Sequence, residues 1–244
     1  IAVRNNQAVI NVYNKKNKNS QLVTQLLYGE SFKIIKKNNK WIKIKNDLDG
    51  YKGFIEKKNF SNKQKNTHKV CNVSATLYSN PGIKIKKKLS FGSRILVNVK
   101  KKNFYKFDNF WIKKEDLKVI KYKRKDIFKN IKKFSGIKYK WGGKHYSGID
   151  CSGLVQLFFN FNNKFCPRDT KDQIKYFKKK IKLKNIRKND LIFWRGHVAI
   201  ALSKWKLIHA YGPLKKIVVM PINKAIDRIY KTANLKVVGI RKVT

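Results

Sequence analysis

The sequence is short of acids, of sulfur and of proline. Thirteen Asp and Glu stand against 60 Lys and Arg, and the 244 residues hold three cysteines, four prolines and one methionine. Each scarcity excludes something. Cys71, Cys151 and Cys166 form no Cys-x-x-Cys pair, so neither a disulfide framework nor a structural zinc site is expected. Unpaired thiols fit a reducing compartment. No apolar run reaches the roughly 18–20 residues that cross a bilayer. The opening stretch, IAVRNNQAVINVYN, lacks both an initiator Met and the apolar core of about 7–15 residues that marks a secretory signal. The expected location is therefore cytoplasmic, or periplasmic if a leader has been removed ahead of Ile1.

What is present in excess is positive charge, +47 formally. Such a charge suits an anionic partner. The lysines, however, are spread over turns and solvent-facing strand positions, as in IKKNNKWIKIK and IKIKKKLS, and do not gather in one arm. A compositional bias toward Lys, Asn and Ile explains that spread better than a dedicated interface. The expectation is weak, nonspecific, salt-sensitive adhesion to polyanions, with no specific nucleic-acid partner. With 42% hydrophobic and 30% charged residues the chain is a folded protein rather than a disordered one.

The first half reads as short alternating strands with turns between them. SFKII and WIKIK flank a polar turn after Tyr28-Gly29-Glu30, and GYKGFIEKKNF follows. The same order recurs in KLSFGSRILVNVKKKNFYKFDN and FWIKKEDL. Gly29 corresponds to Gly92, Phe54-Ile55 to Trp111-Ile112, and Val12-Tyr13 to Leu77-Tyr78. Two strand-rich copies of about 60 residues without a helical pattern predict two small β-barrels. They span residues 1–62 and 63–121, joined through the polar stretch at 61–69. From residue 122 to 244 an α+β domain is expected. A helix is predicted over DIFKNIKKFSG, from apolar spacing at 127, 128, 131 and 134. A glycine-rich loop, the helix SGLVQLFFNFNN and a mostly helical segment at 168–180 follow. Antiparallel strands LIFW, HVAIAL, KLIHAYG, KKIVVMPI and KVVGIRKV close the chain.

Cys151 stands between the loop YKWGGKHYSGID and an apolar helical run. A thiol in the first turn of a helix meets unpaired N–H groups and the positive end of the dipole, both of which favour thiolate. Asp150 and Ser152 are capping residue types. His197 and His209 fall in adjacent predicted strands, and His197 shares a face with the small Ala199 and Ala201. A Cys–His pair needs a third group to orient the imidazole, and His209 can supply it.

YKWGGKHYSGIDCSGLVQLFF, CPRDTKDQ, NDLIFWRGHVAIAL and KLIHAYG together resemble the NlpC/P60 cysteine peptidases, in the family's order, over about residues 125–244. The two barrels resemble bacterial SH3 (SH3b) domains, and the whole chain is similar to members that carry two of them ahead of the catalytic domain. The implied fold is a papain-like domain with helices packed on an antiparallel sheet. The resemblance implies Cys151 as nucleophile, His197 as base, His209 as orienting residue and Tyr139 as a donor beside the developing oxyanion. It further implies hydrolysis of γ-D-glutamyl bonds in murein peptides, ahead of diaminopimelate or Lys, with a free N-terminal L-Ala. Asp150 and Ser152 are expected to bind the peptide. Asp169, with Thr170 beside it, is expected to hold the free amine, and Glu30 to add a second acid. No metal or cofactor is expected.

Two departures from the family pattern stand out. Asn189 replaces a usual glycine and must tolerate left-handed geometry, and Lys144-His145-Tyr146 makes the glycine loop bulky and basic. Cys71 and Cys166 read as structural, and His68 and His145 as exposed. Three rivals remain open: an amidase or acyltransferase on another substrate, a cell-wall or polyanion-binding module, and a zinc site formed by Cys151, His197 and His209.

Overall fold

The computed structural model describes residues 2–243. Its first barrel is a seven-stranded antiparallel sheet. In sheet order the strands are Leu22–Leu27, Val9–Tyr13, Lys52–Glu56, Trp41–Asn46, Ser31–Lys37, Ala2–Arg4 and Ser61–Asn62. Alternation builds its core: along Trp41–Asn46, Ile42 and Ile44 are buried while Lys43 and Lys45 face solvent. The second barrel pairs a five-stranded sheet with a three-stranded one, the latter centred on His68–Val70. The repeat is visible in register as well as in order. Tyr13 pairs with Phe54 in the first barrel, and Tyr78 pairs with Trp111 in the second. Gly29 and Gly92 both adopt positive φ, at 78° and 84°. The polar stretch between the copies is partly structured, since Ser61–Asn62 pairs with Ala2–Arg4 and His68–Val70 is a strand.

The last half holds an antiparallel sheet in the order Lys216–Pro221, Lys206–Tyr211, His197–Ala201, Leu191–Trp194 and Val237–Arg241. Against it lies α1 (Cys151–Phe161), every residue of which is buried. One face of α1 meets the sheet, and its other side meets the barrels. Phe91 of the second barrel stacks on Phe161 at 4.6 Å and contacts Phe158, and Leu27 of the first barrel joins the same core. Each large apolar side chain of α1 so enclosed contributes of the order of 2 kcal/mol. A short α2 (Thr170–Tyr176) follows. Among the described residues, no helix is long and apolar enough to cross a membrane.

The structure corrects several expectations. Residues 127–134 form no α-helix: Asn130 takes φ 70°, and only Ile131–Phe134 coils, as a 3-10 turn. Phe134, at the end of that turn, packs on Phe91 and Phe158. The segment expected to be helical at 168–180 is helical only over α2, because Phe177 is extended and Lys180 bridges to Arg241. A further helix, α3 (Ile222–Ala233), lies between the last two strands, so the domain's helices do not all precede its sheet. His68 and His145 are buried, not exposed. His68 packs edge-on to Tyr105, and His145 bonds to Ser147 Oγ at 2.8 Å.

Polar contacts lock the barrels to the catalytic half. Lys144 Nζ donates to both Glu30 carboxylate oxygens, at 3.2 and 3.4 Å, with both side chains shielded from solvent. Lys144 therefore points into the boundary rather than into a substrate site. Gln25 Oε1 accepts from the Lys144 and His145 backbone N–H groups at 2.8 and 3.1 Å. Lys69 donates to the carbonyls of Tyr122 and Phe161, and Arg94 to that of Asn160, so the second barrel sets two cations at the carboxyl end of α1. Removing one partner of a buried pair leaves the other charge uncompensated. Glu30→Gln should therefore lower the unfolding free energy by about 3 kcal/mol, measured by urea denaturation. Adding Lys144→Met should restore much of that loss. A single variant as stable as the parent would contradict this account of the boundary.

Candidate active site

Asp150 ends the glycine loop in an extended conformation and caps α1, its Oδ1 accepting from Gly153 N at 2.7 Å. Its Oδ2 accepts from Gly142 N at 2.8 Å, which folds the loop back over the helix start. Arg168 closes the arrangement from the Cys-Pro-Arg-Asp-Thr segment. Nη1 reaches Oδ1 at 3.0 Å and Nη2 reaches Oδ2 at 2.7 Å, a bidentate pair with both partners buried. Arg168 also donates to Ser152 Oγ at 2.9 Å and, through Nε, to Thr24 Oγ1 of the first barrel at 3.0 Å. This network places Cys151 at the first position of α1.

The thiol lies beside the strand that carries the base, with Sγ 4.0 Å from the Gly196 carbonyl oxygen. His197 opens that strand, and its Nε2 is 2.8 Å from His209 Nδ1 on the neighbouring strand. With Nε2 so engaged, Nδ1 is the nitrogen left to exchange a proton. His209 is fixed in turn by stacking on Tyr211, at 4.8 Å and 9° between planes. Tyr211 OH lies 3.5 Å from Thr232 Oγ1 of α3, so the helix absent from the sequence reading supports the orienting histidine. Asn189 adopts φ 76° at the entry to the preceding strand, the left-handed geometry its substitution for glycine requires.

Burial, with the Asp150 carboxylate adding to it, pushes the Cys151 thiol up to about 12. Burial pulls His197 down to about 4 and His209 well below the ordinary imidazole range. The Cys151 and His197 shifts both favour the neutral forms, against the helix-start effect expected from the sequence. Tyr139 is likewise held above the usual phenol range by burial, with the sulfur nearby adding to the shift.

A cavity of about 390 Å³ opens over the thiol. Tyr139, Trp141, Asp150, Cys151, Ser152, Arg168 and Gly196 line it together with Tyr51, Asp169, Thr170 and Lys171. Gln21 and Val23 of the first barrel complete the wall. Tyr51 OH donates to Asp169 Oδ2 at 3.1 Å. Asp169 makes no side-chain cap to α2, and burial raises its carboxyl above the ordinary range against the pull of Arg168 and Tyr51. Larger clefts of about 740 and 850 Å³, on the second barrel and beside residues 122–133, hold no part of this constellation.

His197 and His209 pair with each other, His197 following Gly196, whose carbonyl oxygen faces the Cys151 thiol, while Tyr139, Cys151, Asp169 and Thr170 share the cavity. Asp150 and Ser152 reach its wall, but their polar atoms are committed to Arg168 and the backbone. Glu30 is absent from the cavity because Lys144 holds it in the domain boundary. Tyr51 lies in no motif, and its contact with Asp169 joins segments more than a hundred residues apart. Arg168 lies within CPRDTKDQ, where the sequence reading assigns it no role, and it too reaches the first barrel, at Thr24.

Comparison with known proteins agrees with this geometry. Residues 136–234 match the NlpC/P60 family, and residues 12–60 match the bacterial dipeptidyl-peptidase SH3 domain. The chain is 24% identical over 239 residues to a γ-D-glutamyl-L-lysine dipeptidyl-peptidase of Bacillus cereus, covering 84% of this chain and 72% of that protein. It is 33% identical over 87 residues to dipeptidyl-peptidase 6 of Lysinibacillus sphaericus, covering 36% of this chain and 32% of that protein. The crystal structure of an NlpC/P60 family protein from Bacillus cereus superposes with a TM-score of 0.84 at 18% identity, over 99% of both chains, and shares the fold. The chain thus carries an NlpC/P60 domain over residues 136–234, preceded by a bacterial SH3 domain over residues 12–60.

Proposed function

We propose that the protein hydrolyses the γ-D-Glu–diamino acid bond of murein-derived peptides that carry a free N-terminal L-Ala. The observation that carries this reading is one cavity that holds both the Cys151 thiol, beside Gly196 at the start of the His197 strand, and the Tyr51–Asp169 pair. A half-buried carboxylate with one oxygen bonded to a tyrosine favours an ammonium partner over a blocked amide. The peptidases similar to this chain are named for γ-D-glutamyl-L-lysine and dipeptidyl substrates, which agrees with a short peptide bound by its amino end. An amidase or acyltransferase on an unrelated substrate has no need for that acid. Fragments with a free amine are already trimmed, so the reading suits recycling of wall peptides in the cytoplasm.

In the proposed cycle Cys151 Sγ attacks the γ-carbonyl carbon of D-Glu while its proton passes to His197 Nδ1. His197 Nε2–H donates to His209 Nδ1 throughout, which fixes the ring as its charge develops. The Cys151 N–H and Tyr139 hydroxyl stabilise the oxyanion. Collapse breaks the amide bond, and His197 returns its proton to the leaving amine. Water, deprotonated by His197, then attacks the thioester, and the thiol is regenerated with release of L-Ala-γ-D-Glu.

Incubation with L-Ala-γ-D-Glu-diaminopimelate and with its N-acetylated form tests the substrate. The free amine should raise kcat/KM by about 100-fold, the scale of a lost charge-assisted bond plus an unpaired carboxylate. Equal rates would sink the amine reading, and residual turnover by Cys151→Ala would sink the mechanism. A second test follows from the shift of Cys151 and His197 toward their neutral forms. Thiolate rises tenfold per pH unit below the thiol pKa. With that pKa raised, alkylation of Cys151 by iodoacetamide, followed by mass spectrometry, should keep rising from pH 8 to 10. A plateau through neutral pH would instead reveal a preformed thiolate–imidazolium pair.

A further inference from the structure

Gln156 lies on α1, fully buried, and takes no part in the chemistry above. Its Nε2 donates to the Cys166 carbonyl at 3.0 Å and, across the domain boundary, to Asp49 Oδ2 at 2.9 Å. Its Oε1 is buried without a partner. A buried carbonyl left unpaired is costly, so packing alone would be better served by leucine. The polar work of Gln156 is therefore in its two donations, and the one to Asp49 leads to the substrate site.

Asp49 sits in the turn between strands Trp41–Asn46 and Lys52–Glu56 of the first barrel. Its Oδ1 accepts from Tyr51 N at 2.9 Å, and Tyr51 OH donates to Asp169 Oδ2 at 3.1 Å. Asp169 opens α2, and Gln173 of α2 donates from Nε2 to the carbonyl of Ser152 at 3.0 Å, next to the nucleophile. The contacts form a closed circuit that leaves α1 at Gln156, crosses the barrel turn and returns to α1 beside Cys151. Asp49 accepts from Gln156 and Tyr51 with different oxygens, so both bonds are held at once.

We propose that Gln156 and Asp49 are positioning residues that set the separation between Cys151 and the Tyr51–Asp169 pair. That separation defines the length of peptide accepted ahead of the scissile bond. The inference rests on the amine-binding reading above and deepens it: selectivity for a free-ended dipeptide is built into the helix that carries the thiol. Tyr51 comes from a half-exposed barrel turn, and the Gln156 bond ties that turn to the helix.

The test compares kcat/KM for L-Ala-γ-D-Glu-diaminopimelate and its N-acetylated form in Gln156→Leu, Asp49→Ala and Tyr51→Phe, singly and in pairs. Gln156→Leu should lower the free-amine preference about tenfold, mainly through KM, as expected for one bond to a charged acceptor. In the Tyr51→Phe background the same change should alter the preference less than about twofold, because both act through one contact. Asp49→Ala reaches the link from the half-exposed side and replaces Gln156→Leu if that variant does not fold. A merely structural role would slow both substrates equally and leave their ratio intact. Preferences unchanged in both variants, or losses that multiply with that of Tyr51→Phe, would overturn the proposal while leaving the amine reading standing. A parent enzyme that ignores acetylation would overturn both.

Discussion

The site depends on one ion pair, Asp150 with Arg168. Taking both groups out of water is expensive, and such a pair is tolerable only when the remaining lone pairs and protons are also satisfied. Asp150 accepts from Gly142 N, Gly153 N and both Arg168 Nη atoms, while Arg168 also donates to Ser152 and Thr24, so four of its five N–H groups are bonded. The pair thus joins the glycine loop, the start of α1 and the approach to α2 to a strand of the first barrel that is remote in sequence. The glycines of the loop follow from this closure. A Cβ at Gly142, which also has φ 71°, would sit 2.6 Å from the carbonyl oxygen of Leu22 in the first barrel.

The barrels are accordingly part of the catalytic apparatus. The first contributes Tyr51, Gln21 and Val23 to the cavity, Thr24 to Arg168 and Gln25 to the backbone of the glycine loop. The second holds the far end of α1 through Lys69, Arg94 and the Phe91 stack. A helix enclosed on every side cannot shift toward either neighbour without opening a cavity. The thiol and the Tyr51–Asp169 pair are therefore held on a rigid frame, the condition under which oriented attack is effective.

The nucleophile was the most legible part of this site. A glycine-rich loop, Asp-Cys-Ser-Gly and an apolar run describe a local event, a capped helix start, and local chemistry is readable in sequence order. His197 and His209 were legible because strand alternation and a short hairpin put them on neighbouring strands. Tyr51 was not, since its role exists only once the first barrel docks, and no local pattern encodes docking. Glu30 shows the opposite failure. An acid beside the catalytic half was a fair reading, but its fully buried partner is Lys144, which the sequence presents as one more lysine among many. The expected helix at 127–134 fails at Asn130, whose φ of 70° breaks the helical path and leaves Ile131–Phe134 as a single 3-10 turn with Phe134 packed on Phe91 and Phe158.

The scarcity of acids acquires a physical meaning in this frame. In a chain of +47, a carboxylate placed at random on the surface meets lysines everywhere and gains little from any one of them. Several of the thirteen acids instead lie at junctions: Glu30 and Asp49 between barrel and catalytic half, Asp108 between the barrels against Arg4 and Tyr28, Asp150 and Asp169 at the site. The surrounding positive field draws anionic molecules in general and selects none of them. Under the proposed reading the peptide carries carboxylates that respond to this field and one ammonium that opposes it. Asp169, screened by burial and held by Tyr51, supplies the local inversion of sign that such an amine requires. Under that reading attraction belongs to the whole chain and selection to Asp169, whose carboxylate accepts its side-chain hydrogen bond from Tyr51.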